Sequence, residues 1–444
     1  MTVSRTICLG FITVIAIGTL LLLMPFSTSE GTWNDPVVAL FTSTSAVCVT
    51  GHIVVDTATY FSPIGQFFIL ALIQIGGLGY MTATTFLLLL VGRRFALRDK
   101  IAIQQALDRP GIQGSTQVIQ SVIALTVIFE ITGMLLLLIV FSRDYDFGRA
   151  LWLSIFHSIS AWNNAGFSLF SDNLIGYQSS VIVNLVIPGL IIFGGIGYEA
   201  IFEMYLWLRD HLFRRPEKII ISLNFKVAVS TTIILLLVGT VAIFLAELNN
   251  PETLGSMDFA TKIMAAWFQA VVPRTAGFNS INIGEMTTAA LFITIALMFI
   301  GGSPGGTAGG IKTTTLRILT SSTKAILQGK EEVVLYDRQV PVNLILKAIG
   351  VLVGSATTVI LMTALITFTD PDVDFILVLY EVVSGFATVG LSTGITAGLS
   401  IFAKLVLVAT MYIGRVGVLL LMSAILGDPN PTAIRYPEEN LLVG

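Results

Sequence analysis

Apolar and polar positions in this chain are sorted into long blocks. Long apolar runs cover residues 6–27, 64–91, 117–141, 181–208, 226–247, 287–302, 343–368 and 401–426. Most could cross a hydrocarbon core of roughly 30 Å at about 1.5 Å per residue. Shorter runs, at 36–47, 147–161, 259–271 and 375–386, fall between the members of each pair. They are too short to cross. The pattern predicts an all-α integral membrane protein with eight transmembrane helices and four short helices that enter and return. The first run follows Arg5 and ends at Met24-Pro25 without a small-residue cleavage site. It reads as a retained helix, not a secretory signal.

The short runs and their sequels are related. Residues 41–52 read FTSTSAVCVTGH, 156–167 FHSISAWNNAGF, 268–278 FQAVVPRTAGF and 380–391 YEVVSGFATVGL. Each begins with an aromatic and then a polar residue (Thr42, His157, Gln269, Glu381) and reaches a glycine nine or ten positions later. These glycines, Gly51, Gly166, Gly277 and Gly390, are separated by 115, 111 and 113 residues. A second glycine cluster follows each: Ile75-Gly76-Gly77, Phe193-Gly194-Gly195, Ile300-Gly301-Gly302 and Ile413-Gly414. A fixed period in motif and topology is the mark of internal repetition. Four helix–loop–helix units are expected at 1–92, 116–208, 224–329 and 342–427, with a tail at 428–444. Close helix packing would explain the second clusters, but not a glycine ending each short run.

Composition agrees with the block pattern. The 444 residues are 55% hydrophobic and 11% charged, whereas soluble chains carry about 25% charged residues. A net charge of −3 gives no electrostatic case for nucleic acid. Cys8 and Cys48 make neither a disulfide framework nor a metal spacing. His52, His157 and His211 are scattered, and no nucleophile or carboxylate constellation suggests an enzyme. Basic residues gather in three linkers: Arg93, Arg94, Arg98, Lys100 and Arg109; Arg209, Arg214, Arg215, Lys218 and Lys226; Arg317, Lys324, Lys330, Arg338 and Lys347. The opposite loops are acidic. The positive-inside rule makes the basic linkers cytoplasmic, so the short helices enter from outside.

Asp35-Pro36 is an N-cap followed by proline at the first helical position, and Asp146, Asp258 and Asp374 precede the other short runs. Helices entering from outside direct their C-termini, each carrying about half a negative charge, toward mid-membrane, where they favour a cation. Irregular backbone at that depth is tolerated only where protein buries it or water reaches it. Four such loops around one axis would line one central pore, with main-chain oxygens replacing an ion's hydration shell.

The segments CVTGH, NNAGF, RTAGF and ATVGL resemble the four filter segments of the Trk/Ktr/HKT superfamily of potassium transporters. The likeness spans essentially the whole chain, to Ile434-Arg435-Tyr436-Pro437, and is nearest to the membrane subunits of bacterial Ktr (NtpJ-like) systems. It implies a pseudo-fourfold pore, a homodimer in a bacterial plasma membrane, and a cytosolic nucleotide-binding RCK/KTN ring as regulator. It implies K⁺ as the transported ion, with Na⁺ as a second candidate. The filter positions carried over are Val49, Thr50, Gly51; Asn164, Ala165, Gly166; Thr275, Ala276, Gly277; and Thr388, Val389, Gly390. Glycine at position 51, where a serine accompanies Na⁺ permeation in related plant transporters, implies K⁺ preference. Cys48 and His52 depart from the family's usual Thr and apolar residue. His52 is expected either at the outer mouth, titrating near neutral pH, or packed without a role. The superfamily plan also admits the conducting subunit of an ATP-driven pump.

The third unit breaks pattern. Residues 301–315 read GGSPGGTAGGIKTTT, and six glycines and a proline in ten residues cannot continue a straight helix. The resemblance makes this an intramembrane loop below the filter, a gate involving Gly305, Gly306, Thr307, Ala308, Gly309, Gly310 and Lys312, the last of which reads equally as the first cytoplasmic cation. A cytoplasmic linker is the alternative. Arg415 replaces the second glycine of the fourth cluster inside an apolar helix, a costly position. It reads as a barrier or loop anchor, or as the partner of a buried acid such as Glu130 or Glu199. Glu130, Glu199 and Glu203 read as hydrogen-bonding groups inside the bundle. Arg274 is expected to tie the third loop to a neighbouring pore helix through Glu381. Asn163 and Asn164 are expected to brace the second loop from behind.

Overall fold

The computed structural model describes residues 3–79, 115–213 and 221–427. The basic positions 93, 94, 98, 100, 109, 214, 215 and 218, the distal part of the 64–91 run and the C-terminal Ile434–Pro437 segment lie outside the described residues. One order of helices recurs four times. A long helix comes first: α1 (Val3–Leu23), α4 (Ser115–Phe141), α8 (Leu223–Glu247) and α12 (Val342–Thr369). A short one follows: α2 (Pro36–Val47), α5 (Phe147–Trp162), α9 (Phe259–Val271) and α13 (Phe375–Phe386). Then comes a third: α3 (Pro63–Leu78), α6 (Val181–Ile196), α10 (Thr288–Phe299) and α14 (Ile401–Val416). Further helices are α7 (Tyr198–Leu212), α11 (Thr313–Leu327) and α15 (Val418–Leu426). A hairpin pairs Val334–Leu335 with Arg338–Gln339.

Among the described residues, Ser4–Leu23, Gln120–Phe141, Leu223–Glu247 and Val342–Thr369 are long and apolar enough to cross a membrane. The runs 181–208 and 401–426, expected as continuous spans, are instead bent by 104° and 93°. The breaks fall at Gly197 (φ 98°, ψ 139°) and Gly417 (φ 87°, ψ 138°). Gly79 ends α3 with φ 77° and ψ 131°. Each of these three glycines stands three positions after the first glycine of its cluster. Their positive φ is open to glycine and strained for other residues. The third unit has no such glycine; α10 stops at Phe299 and gives way to an irregular stretch.

Burial is inverted relative to a soluble protein. Leu9, Ile12, Ile17 and Leu20 of α1 and Ile128, Ile131 and Leu135 of α4 are exposed. Thr42, Ser43, Thr44, His157, Ser160, Asn163, Gln269, Arg274, Glu381 and Ser384 are buried. Such a surface suits hydrocarbon, and lipid tails give no hydrophobic reason for helices to associate, so cohesion falls to packing and internal hydrogen bonds. The four motif aromatics, Phe41, Phe156, Phe268 and Tyr380, are fully buried and wedge the short helices into the core. Asp35, Asp146 and Asp258 accept backbone N–H bonds at their helix starts. Asp374 makes no side-chain cap, so the expected device is present at three of the four. The first and last units meet directly: Arg5 Nε donates to Ala424 O at 2.7 Å, and Tyr412 Oη to Cys8 O at 3.0 Å.

Candidate functional site: a ring of four glycine loops

Each short helix ends in an unusual turn. Val49 (φ 57°), Asn164 (59°), Thr275 (69°) and Thr388 (53°) all occupy the left-handed region, as do Gly51 (90°), Gly166 (70°), Gly277 (68°) and Gly390 (87°) two positions on. Three of the four non-glycine residues are β-branched, for which this conformation is a genuine outlier. It is held by turn bonds: Thr50 N donates to Ser45 O (2.8 Å), Ala165 N to Ser160 O (2.7 Å), Ala276 N to Val272 O (3.0 Å) and Val389 N to Ser384 O (2.8 Å). In the first loop Gly51 N also donates to Ser45 Oγ at 3.1 Å, and in the second Ser160 Oγ donates to Phe167 O at 2.8 Å. Alternating the sign of φ along a strand turns successive carbonyls toward one side. Strain repeated at one position of four loops marks a functional constraint.

The glycines touch in a closed cycle. A Cβ added at Gly51 would lie 2.4 Å from Ala165 O, one at Gly166 2.6 Å from Ala276 O, one at Gly277 2.5 Å from Val389 O, and one at Gly390 1.9 Å from Thr50 O. All twelve candidate positions, Val49–Gly51, 164–166, 275–277 and 388–390, are thereby gathered around one centre, and all are buried. Four short-helix C-termini, each with partial negative charge, surround it. The hydroxyls of Thr50, Thr275 and Thr388 are buried without a protein partner. Main-chain oxygens, spare hydroxyls and helix C-termini form a donor set suited to a weakly hydrated monovalent cation.

The second glycine clusters seat the short helices. A Cβ at Gly76 would lie 2.1 Å from Val47 O, at Gly194 2.0 Å from Trp162 O and at Gly414 1.8 Å from Phe386 O. In the third unit Gly301 meets Gly309 O of the irregular stretch instead, at 2.0 Å.

That stretch, 300–312, packs against the loops. Gly309 faces Thr388 Oγ1, 2.1 Å from where its Cβ would be. Thr307 Oγ1 donates to Asn164 Oδ1 (3.1 Å) and Trp162 O (3.3 Å), and its N–H to Gly194 O (3.1 Å). Ser303 N donates to Gly195 O and Tyr198 N to Gly305 O, so the bend at Gly197 lodges the loop. Lys312 Nζ donates back to Ala308 O at 2.7 Å. Arg415 Nη1 donates to Thr307 O at 2.6 Å, and its Nη2 donates to Gly76 O. The bonds Arg415 makes go to main-chain carbonyls, those of a loop anchor. Gly305, Gly306, Ala308, Gly309, Lys312 and Arg415 border a cavity of ≈ 320 Å³.

Other expectations are corrected. Arg274 does not pair with Glu381; its Nη1 donates to the carbonyls of Ile300 (3.0 Å) and Gly301 (3.4 Å), at the root of the irregular stretch. A guanidinium suits clustered carbonyls, which the sequence of the third unit offers only once that stretch folds back. Glu381 instead accepts from Ser392 Oγ, Thr393 N and Thr396 Oγ1. His52 is fully buried and bonded, not at an open mouth. Asn164 Nδ2 donates to Arg274 O at 3.0 Å, joining loops two and three, while Asn163 Nδ2 reaches Gln74 and Glu130. Glu203 accepts from Ser222 N at 2.9 Å. Two of the polar residues that follow the motif aromatics secure the loop they precede. His157 Nε2 bonds Ser168 Oγ and Glu381 bonds Ser392, each the residue two past the loop glycine. The repetition of a polar residue beside the aromatic was the available signal.

The family model described as "TrkH: Cation transport protein" matches residues 4–428. The Ktr system potassium uptake protein B of Bacillus subtilis is 38% identical over 444 residues, covering 100% of this chain and 97% of that protein. The potassium/sodium uptake protein NtpJ of Enterococcus hirae is 36% identical, covering 99% and 97%. The crystal structure of the potassium transporter TrkH from Vibrio parahaemolyticus superposes with a TM-score of 0.72 at 19% identity, covering 95% of this chain and 85% of that one. At that identity the likeness bears on the fold alone.

Proposed function

The chain belongs to the TrkH family of cation transport proteins, and we propose that it takes up K⁺ through a selectivity filter built from its four glycine loops. The observation that carries this is the closed cycle of contacts from Gly51 through Gly166, Gly277 and Gly390 back to Thr50. Carbonyls of Thr50, Ala165, Ala276 and Val389 strip and replace the hydration shell, and the strained residues at 49, 164, 275 and 388 hold them in register. Relatives named as potassium uptake proteins, 38% and 36% identical over 100% and 99% of the chain, support K⁺ as cargo. The relative named for potassium and sodium supports Na⁺ as a second permeant ion.

In this reading each of the four units, at 1–92, 116–208, 224–329 and 342–427, contributes two membrane-crossing segments and one re-entrant helix. Eight crossings then require the bent third helices to span by their first limb. The stretch 301–315 is the gate, and Arg415 holds it across the path through Thr307 O. A homodimer and a cytosolic RCK/KTN ring complete the assembly; the multi-component "Ktr system" of the relatives supports the second. The ring acts from the face where Arg317, Lys324, Lys330 and Arg338 lie.

Complementation of a K⁺-uptake-deficient bacterium by the chain and its ring partner tests the reading. Growth at low K⁺ is expected, with Gly51→Ser admitting more Na⁺. Deleting Gly305–Gly309 raises flux if the stretch gates; unchanged flux removes that role.

A further inference from the structure

The four units follow one another along the chain, so three of their junctions join consecutive units. The fourth junction, between the last unit and the first, has no covalent continuity. It is also where a loop carbonyl comes nearest its neighbouring glycine: the Cβ position of Gly390 lies 1.9 Å from Thr50 O, against 2.4, 2.6 and 2.5 Å at the other three. The residues that follow these two glycines are His52 and Leu391. His52 Nε2 lies 3.1 Å from Leu391 O and 3.3 Å from Glu381 Oε2. With these two acceptors beside it, Nε2 carries the ring hydrogen and donates it to Leu391 O, the Glu381 carboxylate standing alongside. His52 and Glu381 are 0% and 1% exposed. The remaining carboxylate capacity is taken by Ser392 Oγ (2.7 Å), Thr393 N (2.9 Å), Thr393 Oγ1 (3.2 Å) and Thr396 Oγ1 (2.8 Å).

One carboxylate thus organises the segment leaving the fourth loop and also lies beside the imidazole that leaves the first. The equivalents of His52 in the other loops, Phe167, Phe278 and Leu391, have apolar side chains that cannot make such a bond. The hydrogen bond from His52 to Leu391 O, with the Glu381 carboxylate 3.3 Å from the same nitrogen, crosses the junction one residue from the carbonyl ring on both sides. We propose that His52, bonded to Leu391 O beside the Glu381 carboxylate that seats the fourth-loop segment, is the clamp that closes the glycine ring at its one covalently unlinked junction, making His52 and Glu381 positioning residues for cation discrimination. Carbonyl spacing at this junction is then set by a side-chain bond, where elsewhere chain continuity contributes.

The inference rests on the filter reading, and the test separates the two. The purified full chain and its variants are reconstituted in phosphatidylethanolamine–phosphatidylglycerol vesicles, and K⁺ and Na⁺ uptake are measured separately. Protection against thermal unfolding by each ion is measured in detergent as a readout independent of flux. The wild type must favour K⁺ in both; equal responses to the two ions overturn the filter reading itself. Given that preference, His52→Leu and Glu381→Gln are expected to lower the K⁺/Na⁺ uptake ratio by at least about fivefold, as loss of the bond to Leu391 O, or of the carboxylate that seats that segment, implies. His52→Gln, which keeps a donor, is expected to retain most of the ratio. His52→Leu/Glu381→Leu removes both polar groups and so avoids an unpaired buried charge; it is expected to fold and still discriminate poorly. A wild-type ratio in Glu381→Gln or in the double variant refutes the clamp. So does a ratio in His52→Gln as low as in His52→Leu.

Discussion

Replacing Gly390 with alanine separates two effects that a glycine can hide. The first is conformational: φ is 87°, where an L-residue is strained by about 1–2 kcal/mol. The second is steric. The new Cβ would stand 1.9 Å from Thr50 O, and because real Cβ atoms essentially never approach below 3.0 Å, the two loops must part by about 1.1 Å. The obstacle is backbone, so no side-chain rotation relieves it. Gly394, four residues on, supplies the control: its φ is 95°, yet nothing lies within 4 Å of its Cβ position. Gly394→Ala therefore carries the strain without the clash. In vesicles, Gly394→Ala should lower the unfolding temperature slightly and leave the K⁺ rate and K⁺/Na⁺ ratio near wild type. Gly390→Ala should lose K⁺ uptake at least about tenfold or lose discrimination, since an ångström of misplacement is large for a binding site. Wild-type uptake and discrimination in Gly390→Ala would refute the close ring.

Three further expectations follow from particular contacts. Arg415→Gln removes the pair of donors to Thr307 O and Gly76 O; ion flux through vesicles should rise, and unchanged flux would show that these bonds do not restrain the loop. Thr307→Val deletes the hydroxyl bonds to Asn164 and Trp162 while keeping shape, and should raise flux less than Arg415→Gln, measured in the same assay. Asp35→Ala should destabilise the chain by about 1 kcal/mol, the worth of an N-cap, whereas Asp374→Ala, which caps nothing with its side chain, should barely move the unfolding temperature.

Much of this architecture was legible because apolar block lengths report membrane geometry and because a fixed repeat exposes itself. The four short helices fall within a residue or so of the runs that predicted them. The angle of the turns at Gly197 and Gly417 was not legible, although a glycine three positions after the first glycine of three of the four clusters repeats plainly. An apolar run carries no mark of direction, and only the positive φ turns the chain. The loops' left-handed Val49, Thr275 and Thr388 could not have been read at all, since propensity argues against β-branched residues there. Arg274 was misassigned for a related reason. Charge complementarity suggests a carboxylate, but the carbonyls of Ile300 and Gly301 become available only after the third unit's helix has ended early.

The ring closes on four different sequences: Val49-Thr50-Gly51, Asn164-Ala165-Gly166, Thr275-Ala276-Gly277 and Thr388-Val389-Gly390. In a pore assembled from identical subunits, one codon change is felt four times, and a damaging substitution abolishes everything at once. Here a mutation reaches a single quadrant. Selection can therefore tune one wall of the opening while three stay fixed, and the walls are free to specialise. The third quadrant has gone furthest, exchanging a continuous helix for a glycine-rich strap that leans on its neighbours' main chains. Such a division of labour is closed to a ring of identical subunits.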